Sequence, residues 1–572
     1  MRVDKLDSLW TGIFSLMVLV LPIILIACAS AEPTATPVPP AKPAAPLAPT
    51  AAPAPTIAAA PATPTAVQAQ ATPTRALPTS TPAPAGGPVY GGVLRHATLI
   101  QFDTLDAHLT NRVELYSVTY SIYDNLVQLT QDGTIQPDLA QSWTVSADGK
   151  IITFKLNQGV KFHDGTDFNA EAVKWNIDRI LKPETGSPQR TNLAPSIDRV
   201  AVVDNDTVAL YLKQPSRPFL AFLTDRAGYM VSPTAVAKLG ADFGVRPVGT
   251  GPFKLNKWLL GDSNTLEKNP NYWQKGKPYL DRVVIQDVPD ITVQLAMVRT
   301  GESDMITYVT PASVRVVEGN PNLKLVPLLG RNPSFFMNYN VPPYNNKSLR
   351  QAFAYSFNRQ ELFDSYYERR GQIAYSIAPP GTWAFNPDLK VYDLDLTKAK
   401  QKLAEAGYPN GGTFSIGCGS DAADILRCEI FQAQLSKAGI KAELRVVRQA
   451  DYFATLRREW KGDRILAGYW QYTPRADPHQ TIQGAWRTGG FLNSVPDYSN
   501  PEVDKLIDQA EGIYDTAKAK AIYDQVQKMV LEDAVMVPLV FPPEYTVMST
   551  KIQGLVQPID FRPRLRNVWF AK

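Results

Sequence analysis

Hydrophobic and polar positions divide the chain into regimes. Leu9 to Ala27 is an almost unbroken apolar run with Arg2 and Lys5 ahead of it. From Ala29 to Pro88 the chain is almost entirely Pro, Ala and Thr, with Glu32, Lys42 and Arg75 its only charges, so nothing there can build a core. Beyond that, period-two alternation takes over. Ile152, Phe154 and Leu156 alternate with Thr153 and Lys155, and Asp132-Gly133, Asp148-Gly149 and Asp164-Gly165 supply turns at even spacing. VAVVDNDTVALYLK repeats the pattern around a turn at Asn205-Asp206. The region from about Ile122 to Thr250 therefore reads as mostly β, with one amphipathic helix over 170 to 181. Asn169 caps that helix, Val173, Ile177, Ile180 and Leu181 form its apolar face, and Lys182-Pro183 stops it.

The C-terminal half alternates helices with short apolar strands, which predicts a layered α/β lobe. Thr397 is the expected cap of KAKQKLAEAG, with Leu403 on its apolar face and Gly407 as its stop. Asn500 caps a second helix, Pro501 takes its first position, and Val503, Leu506, Ile507 and Ala510 share a face. A third helix carries Ile522, Val526, Met529 and Val530.

The roughly 480 residues from Val89 onward are too many for one core and predict two or three domains. A net charge of +4 with no clustered basic run argues against nucleic-acid binding. At the N-terminus, Leu25-Ile26-Ala27-Cys28 looks like a bacterial lipobox: small residues admit the peptidase, and the thiol of Cys28 carries the lipid. The alternative is an uncleaved signal anchor, against which stand Pro22 within the run and the cysteine at its end. The Pro/Ala/Thr stretch is then a tether; about 60 residues in polyproline II would reach on the order of 190 Å at full extension. Cys418 and Cys428, ten apart, are the remaining thiols, and their pairing is left open.

GVKFHDGTDFNAEAVKWN at 159 to 176 resembles the solute-binding proteins of peptide- and nickel-type ABC importers, extracellular family 5. So do Gly91-Gly92-Val93-Leu94-Arg95 and Leu105-Asp106 before it, with IYDNLV at 122 to 127 and PDLAQSW at 137 to 143. Collinear with these are PVGTGPFKL at 247 to 255, NPNYWQKGKPYLD at 269 to 281, LRQAFAYSFNR at 349 to 359, AEAGYP at 404 to 409 and YSNPEVDKLI at 498 to 507. The resemblance implies an α/β, two-lobed periplasmic-binding-protein-like fold (type II, cluster C) with an extra β-rich subdomain in lobe I. On that reading residues 1–28 are a signal peptide and 29–88 a tether. Lobe I takes 89–124, 247–332 and 542–572, the extra subdomain 125–246, and lobe II 333–541. Hinge crossings would fall near Asn338 to Pro343 and near Pro542 to Tyr545.

The function implied is a monomeric, lipid-anchored, extracytoplasmic receptor. It captures a small peptide or peptide-like solute between its lobes and delivers it to ABC permease and ATPase subunits, with no catalysis and no cofactor. Peptide-binding relatives carry a Trp in a lobe II loop and, three residues on, an Asp that pairs with the ligand's α-amine. The matching loop here is GYWQYTPRADPHQ, Gly468 to Gln480; counting from Trp470 reaches Thr473, and counting back from Asp477-Pro478 reaches Pro474, so no acid occupies the amine position. Arg475 in the same loop points instead to an anionic or hydrogen-bond-accepting ligand. Trp470, Tyr472, Arg475 and Asp477 are the expected cleft residues, with Trp383 from lobe II and Tyr116 from lobe I. Each has a plain structural role open to it as well: a turn for Asp477, packing for Trp383 and Tyr116, a solvated charge for Arg475. His479 is remote in sequence from His96, His108 and His163, and no metal-ligand spacing links them. A secreted hydrolase lacks support, since GxSxG, HExxH and P-loop motifs are missing, and an adhesin would show repeats that this chain does not have. A non-peptide solute such as an anionic compound, an oligosaccharide or a metal chelate is the other binding-protein reading.

Overall fold

Three sheets organise the chain in this computed structural model, which describes residues 87–99, 104–110, 112, 115–329, 331–458, 462–490 and 492–572. Cys28, the apolar run and nearly all of the tether lie outside the described residues. The first sheet has seven strands, in the order Leu323–Leu329, Pro543–Ser549, Met305–Val309, Val93–Thr98, Arg282–Asp287, Ser263–Lys268 and Phe253–Leu259. Pro543–Ser549 pairs antiparallel with both Met305–Val309 and Leu323–Leu329, so this sheet is complete only when the chain's last segment returns to it. Leu94, Val283, Ile285, Met305 and Met548 are buried in one core on this sheet.

The region expected to be β-rich forms a four-stranded antiparallel sheet in the order Ala140–Val145, Ile151–Leu156, Thr207–Leu212, Ile197–Asp204. Ile152, Phe154, Leu156, Val208 and Leu210 point to the side covered by helix Ala170–Leu181, which buries Val173, Ile177 and Ile180 against them. The helix begins where Asn169 accepts from the Ala172 N–H at 3.0 Å and ends at extended Lys182. Asp148-Gly149 turns the first hairpin with Gly149 at φ +71°, and the second turns at Asn205-Asp206. Asp164-Gly165 makes a tighter loop, closed by an isolated bridge between Lys161 and Asp167.

A five-stranded mixed sheet, in the order Ile440–Val447, Gly412–Gly419, Ala467–Tyr472, Asn332–Met337, Met536–Pro538, is the framework of the second lobe. Helices Lys347–Ser356, Leu396–Glu405 and Ala422–Ser436 cover one face through Phe353, Leu403 and Phe431. Pro478–Trp486, Pro501–Glu511 and Thr516–Glu532 cover the other through Trp486, Ile507 and Val526. Asn500 caps the second of these as expected. Leu396–Glu405 starts earlier than expected because Asp395, not Thr397, takes the cap, accepting from the Lys398 N–H at 2.9 Å; a carboxylate there also complements the helix dipole.

The first crossing between lobes also differs from expectation. Asn332–Met337 already belongs to the second lobe's sheet, so the chain crosses between Leu323–Leu329 and Asn332–Met337. Asn338 to Pro343 lies inside that lobe, where Asn338 N–H donates to Leu466 O at 2.7 Å. The return crossing passes from Val540–Phe541 into Pro543–Ser549. Cys418 and Cys428 form a disulfide with Cα atoms 6.2 Å apart, within the ordinary span of such a bridge.

Candidate interlobe binding site

Strand Ala467–Tyr472 runs parallel to Gly412–Gly419, so its C-terminal end opens where ligands sit in open α/β sheets. The chain leaves that end through Arg475 and enters helix Pro478–Trp486 at Asp477, whose carboxylate caps it by accepting from the His479 N–H at 2.8 Å. Facing this from the first lobe is Asp225, which caps the short turn Arg226–Gly228 by accepting from the Arg226 N–H at 2.7 Å.

Asp225 is the centre of the seam. Its Oδ1 accepts from the Tyr116 hydroxyl at 3.0 Å and lies 2.8 Å from Arg562 Nη1 and 3.7 Å from Arg226 Nη1. Its Oδ2 accepts from Arg475 Nη1 of the second lobe at 3.2 Å. Burial pushes this carboxyl up, but the guanidiniums of Arg562, Arg226 and Arg475 outweigh burial and hold it well below the usual carboxylate range. The Arg226 and Arg562 guanidiniums both lie against the Tyr116 ring, at 4.3 and 3.6 Å from its centroid, and Arg564 lies 3.4 Å from the centroid of Tyr120. Asp560 takes Arg564 at 2.9 Å and Arg562 at 3.7 Å. Among the described residues, Arg475, Arg562 and Arg564 thus face Asp225 and Asp560 at the seam, with Arg226 packed on the Tyr116 ring beside them. Arg562 Nη2 is buried without a hydrogen-bond partner.

A second contact runs the other way. Arg217 of the first lobe lies 3.1 Å from Asp477 and stacks 3.9 Å from the Trp383 ring centroid. Its backbone N–H donates to Glu511 O at 2.8 Å, and the Ser216 hydroxyl donates to the Glu511 carboxylate at 2.9 Å. Burial pushes the Asp477 carboxyl up, and Arg217 opposes the shift. At a further part of the seam Arg370 pairs with Glu318 at 2.9 Å and Arg315 with Glu368 at 2.6 Å. These contacts hold the two lobes closed.

The expected site residues fall into three groups. Tyr116 and Arg475 meet on Asp225, and Asp477 and Trp383 meet on Arg217. Trp470 and Tyr472 lie in the core of the second lobe, 9% and 6% exposed, with ring centroids 4.7 Å apart; Trp470 packs edge-on to Phe336. Arg217, Asp225, Arg226, Asp560, Arg562 and Arg564 were not foreseen. The closely spaced arginines of DFRPRLR at 560 to 566, which the structure buries, are a sequence signal for Asp560, Arg562 and Arg564 alone. His479 is enclosed beside the Tyr523 hydroxyl, and burial, with help from Arg217, pushes it down to about 3. Among the described residues no group of three or more His, Cys, Asp or Glu could hold a metal ion. A hollow of about 780 Å³ lined by His163, Trp258 and Leu260 draws all its walls from the first lobe and shares no residue with the seam.

Two lobes on separate sheets, joined by two crossings and meeting across an arginine- and aromatic-rich seam, define a solute-binding receptor of the periplasmic type. Residues 134–489 match the model of bacterial extracellular solute-binding proteins, family 5 (its middle region), and the chain belongs to that family. It is 32% identical over 468 residues to the glutathione-binding protein GsiB of Shigella flexneri, covering 79% of this chain and 90% of that one. The GsiB of Escherichia coli K12 matches at the same identity and coverage. Among solved structures, the periplasmic binding protein DppA of Helicobacter pylori with the peptide STSA aligns at TM-score 0.74 and 28% identity, over 85% of this chain and 99% of that one. AgaA of A. tumefaciens R10 with agropinic acid aligns at TM-score 0.73 and 27% identity, over 84% and 99%. Membership makes this chain an extracytoplasmic substrate receptor for ABC import. Among the described residues no helix is long and apolar enough to cross a membrane.

Proposed function

We propose that the receptor captures a small peptide or peptide-like acid, and that the ligand's carboxylate is taken by Arg475 and Arg562. The observation that carries this reading is the charge at the seam among the described residues: the guanidiniums of Arg475, Arg562 and Arg564 against the carboxylates of Asp225 and Asp560, with Arg562 Nη2 buried and unpartnered. Burial opposes the charge on Arg562, but Asp225 and Asp560 outweigh burial and keep it charged, so what is left over is the Nη2 donor, and a ligand carboxylate satisfies it. A cationic amine would meet the same guanidiniums as repulsion, in keeping with Thr473 and Pro474 where peptide-binding relatives carry an acid. The relatives' ligands fit: GsiB is named for glutathione, and AgaA holds agropinic acid.

In this reading Tyr116 and Trp383 are aromatic walls, Asp477 holds Arg217 across the seam, and Trp470 and Tyr472 support the lobe II wall from behind. The lobes, with the extra subdomain over 125–246 on the first, open and shut about the two crossings, and ligand shifts the population to the closed form that the permease recognises. The protein works as a monomer moored by lipid on Cys28 through the Pro/Ala/Thr tether, in keeping with the lipobox at 25 to 28.

Calorimetry on the full-length chain in detergent tests the ligand class against glutathione, short peptide acids, agropinic acid, a neutral oligosaccharide and nickel–histidine. Binding confined to the acids is expected. Binding of the oligosaccharide or the nickel chelate in preference to every acid would overturn the reading.

A further inference from the structure

Arg475 does more than cross the seam. Its side chain also borders a small cavity of about 20 Å³ inside the second lobe, whose other walls are mainly apolar: Ile377, Ala378, Pro379, Tyr472, Pro478 and Ile482. Three features fix this shape. The Asn332 amide donates to Ile377 O, and the Gln527 side-chain oxygen accepts from the Ala378 N–H at 2.8 Å, so the segment that forms one wall is pinned to the sheet and to helix Thr516–Glu532. Pro478 and Ile482 stand on the first turns of the helix that Asp477 caps, which fixes the opposite wall. Tyr472 ends its strand beneath Trp470 and Trp486, at 4.7 and 5.9 Å between ring centroids, and cannot swing away without disturbing the core. These walls are held by hydrogen bonds and packing, so the cavity does not simply expand to fit.

A cavity of that volume admits roughly one or two non-hydrogen atoms and no ring. We infer that it is a side-chain subsite: the residue of the ligand whose carboxylate meets Arg475 carries a small apolar group, of the size of a methyl or a thiol-bearing methylene, that enters this cavity. The inference rests on the reading of the seam as a carboxylate site and adds a size rule to it. The guanidinium sets the position of the carboxylate, and the adjoining apolar walls then read what lies next to it, so charge and size are checked at neighbouring points. A larger side chain forces the lobe II wall outward or keeps the lobes apart.

The test is a series of peptide acids differing only in the C-terminal side chain, Gly, Ala, Cys, Leu and Phe, titrated calorimetrically into the full-length chain. Ala and Cys are expected to bind about four-fold tighter than Gly, the effect of one buried carbon, and Phe at least about ten-fold weaker than Ala. Ala378→Val, whose two added carbons match the capacity of the cavity, should erase the advantage of Ala over Gly; a thermal melt of the variant checks its folding. Equal affinity for Ala and Phe in the wild-type chain overturns the size rule and leaves the carboxylate reading standing. Failure of every acid in the series to bind overturns both.

Discussion

Replacing Arg475 by Gln removes one guanidinium from the seam and little else. Arg475 is about 30% exposed and its partner among the described residues is Asp225, which keeps Arg562 at 2.8 Å and the Tyr116 hydroxyl at 3.0 Å after the change. The carboxylate therefore stays compensated, and the unliganded protein should lose no more than about 1 kcal/mol, as for a partly exposed ion pair. Ligand binding responds differently. A hydrogen bond to a charged group is worth about 1.5–3 kcal/mol, and at 1.4 kcal/mol per decade its loss weakens an acidic ligand roughly 10- to 150-fold. Calorimetry with the tightest acid from the ligand panel measures the affinity, and a thermal melt without ligand measures the folding cost. The salt dependence should flatten as well, because one charge has left the site. An affinity within two-fold of wild type, with the melt unchanged, would refute the claim that Arg475 meets the ligand.

Trp470→Ala should act on folding: the side chain is buried between Phe336 and Tyr472, and such truncations cost about 3–5 kcal/mol, so the unliganded melting temperature should fall by several degrees. An unchanged melt would place Trp470 outside the core. Acid should destabilise the protein between about pH 6.5 and pH 4, because burial pushes His96, His108 and His163 down to about 4 and His479 down to about 3. The unfolded chain then binds more protons in that window, so stability is fully present above 6.5 and is lost as pH falls, by about 2 kcal/mol per histidine at pH 5. Asp124, pushed up to about 6 mainly by burial, takes up a proton in the same window and offsets part of the loss. Melting temperatures from pH 7 to pH 5 measure the balance, and a flat profile would contradict the burial of the histidines. Replacing Cys418 and Cys428 together by Ala should cost about 2–3 kcal/mol in denaturant unfolding, the value for a short closed loop of this kind; no loss would mean the bridge does not constrain the chain.

What could be read from sequence was what neighbouring residues decide. Helix Ala170–Leu181 appeared with its cap, stop and buried face because Asn169, the apolar spacing and Pro183 all lie within fifteen residues. Where two local signals compete, the stronger wins: the Asp395 carboxylate displaced Thr397 as a cap. The hinge was misplaced because prolines near 340 look like a crossing, whereas the true crossing is set by which sheet Asn332–Met337 joins, a long-range choice. The site shows the same limit. Arg475 and Asp225 are 250 residues apart, and Tyr116 and Asp225 are 109 apart, so no window of sequence contains the cluster. Aromatic and charged residues in the lobe II loop were visible as candidates, but Trp470 and Tyr472 went to the core because strand alternation turns both to the face that Pro478–Trp486, Pro501–Glu511 and Thr516–Glu532 cover. The first-lobe half of the site could be found only through its effect on folding, in the buried arginines of the returning C-terminal segment.

The central claim is that the seam reads a negative charge. Calorimetric titration of the full-length chain with the tightest peptide acid and with its C-terminal amide, identical in shape but neutral at that end, tests it most directly. The account predicts that the acid binds at least about ten-fold tighter than the amide. Equal affinities for the two would contradict it.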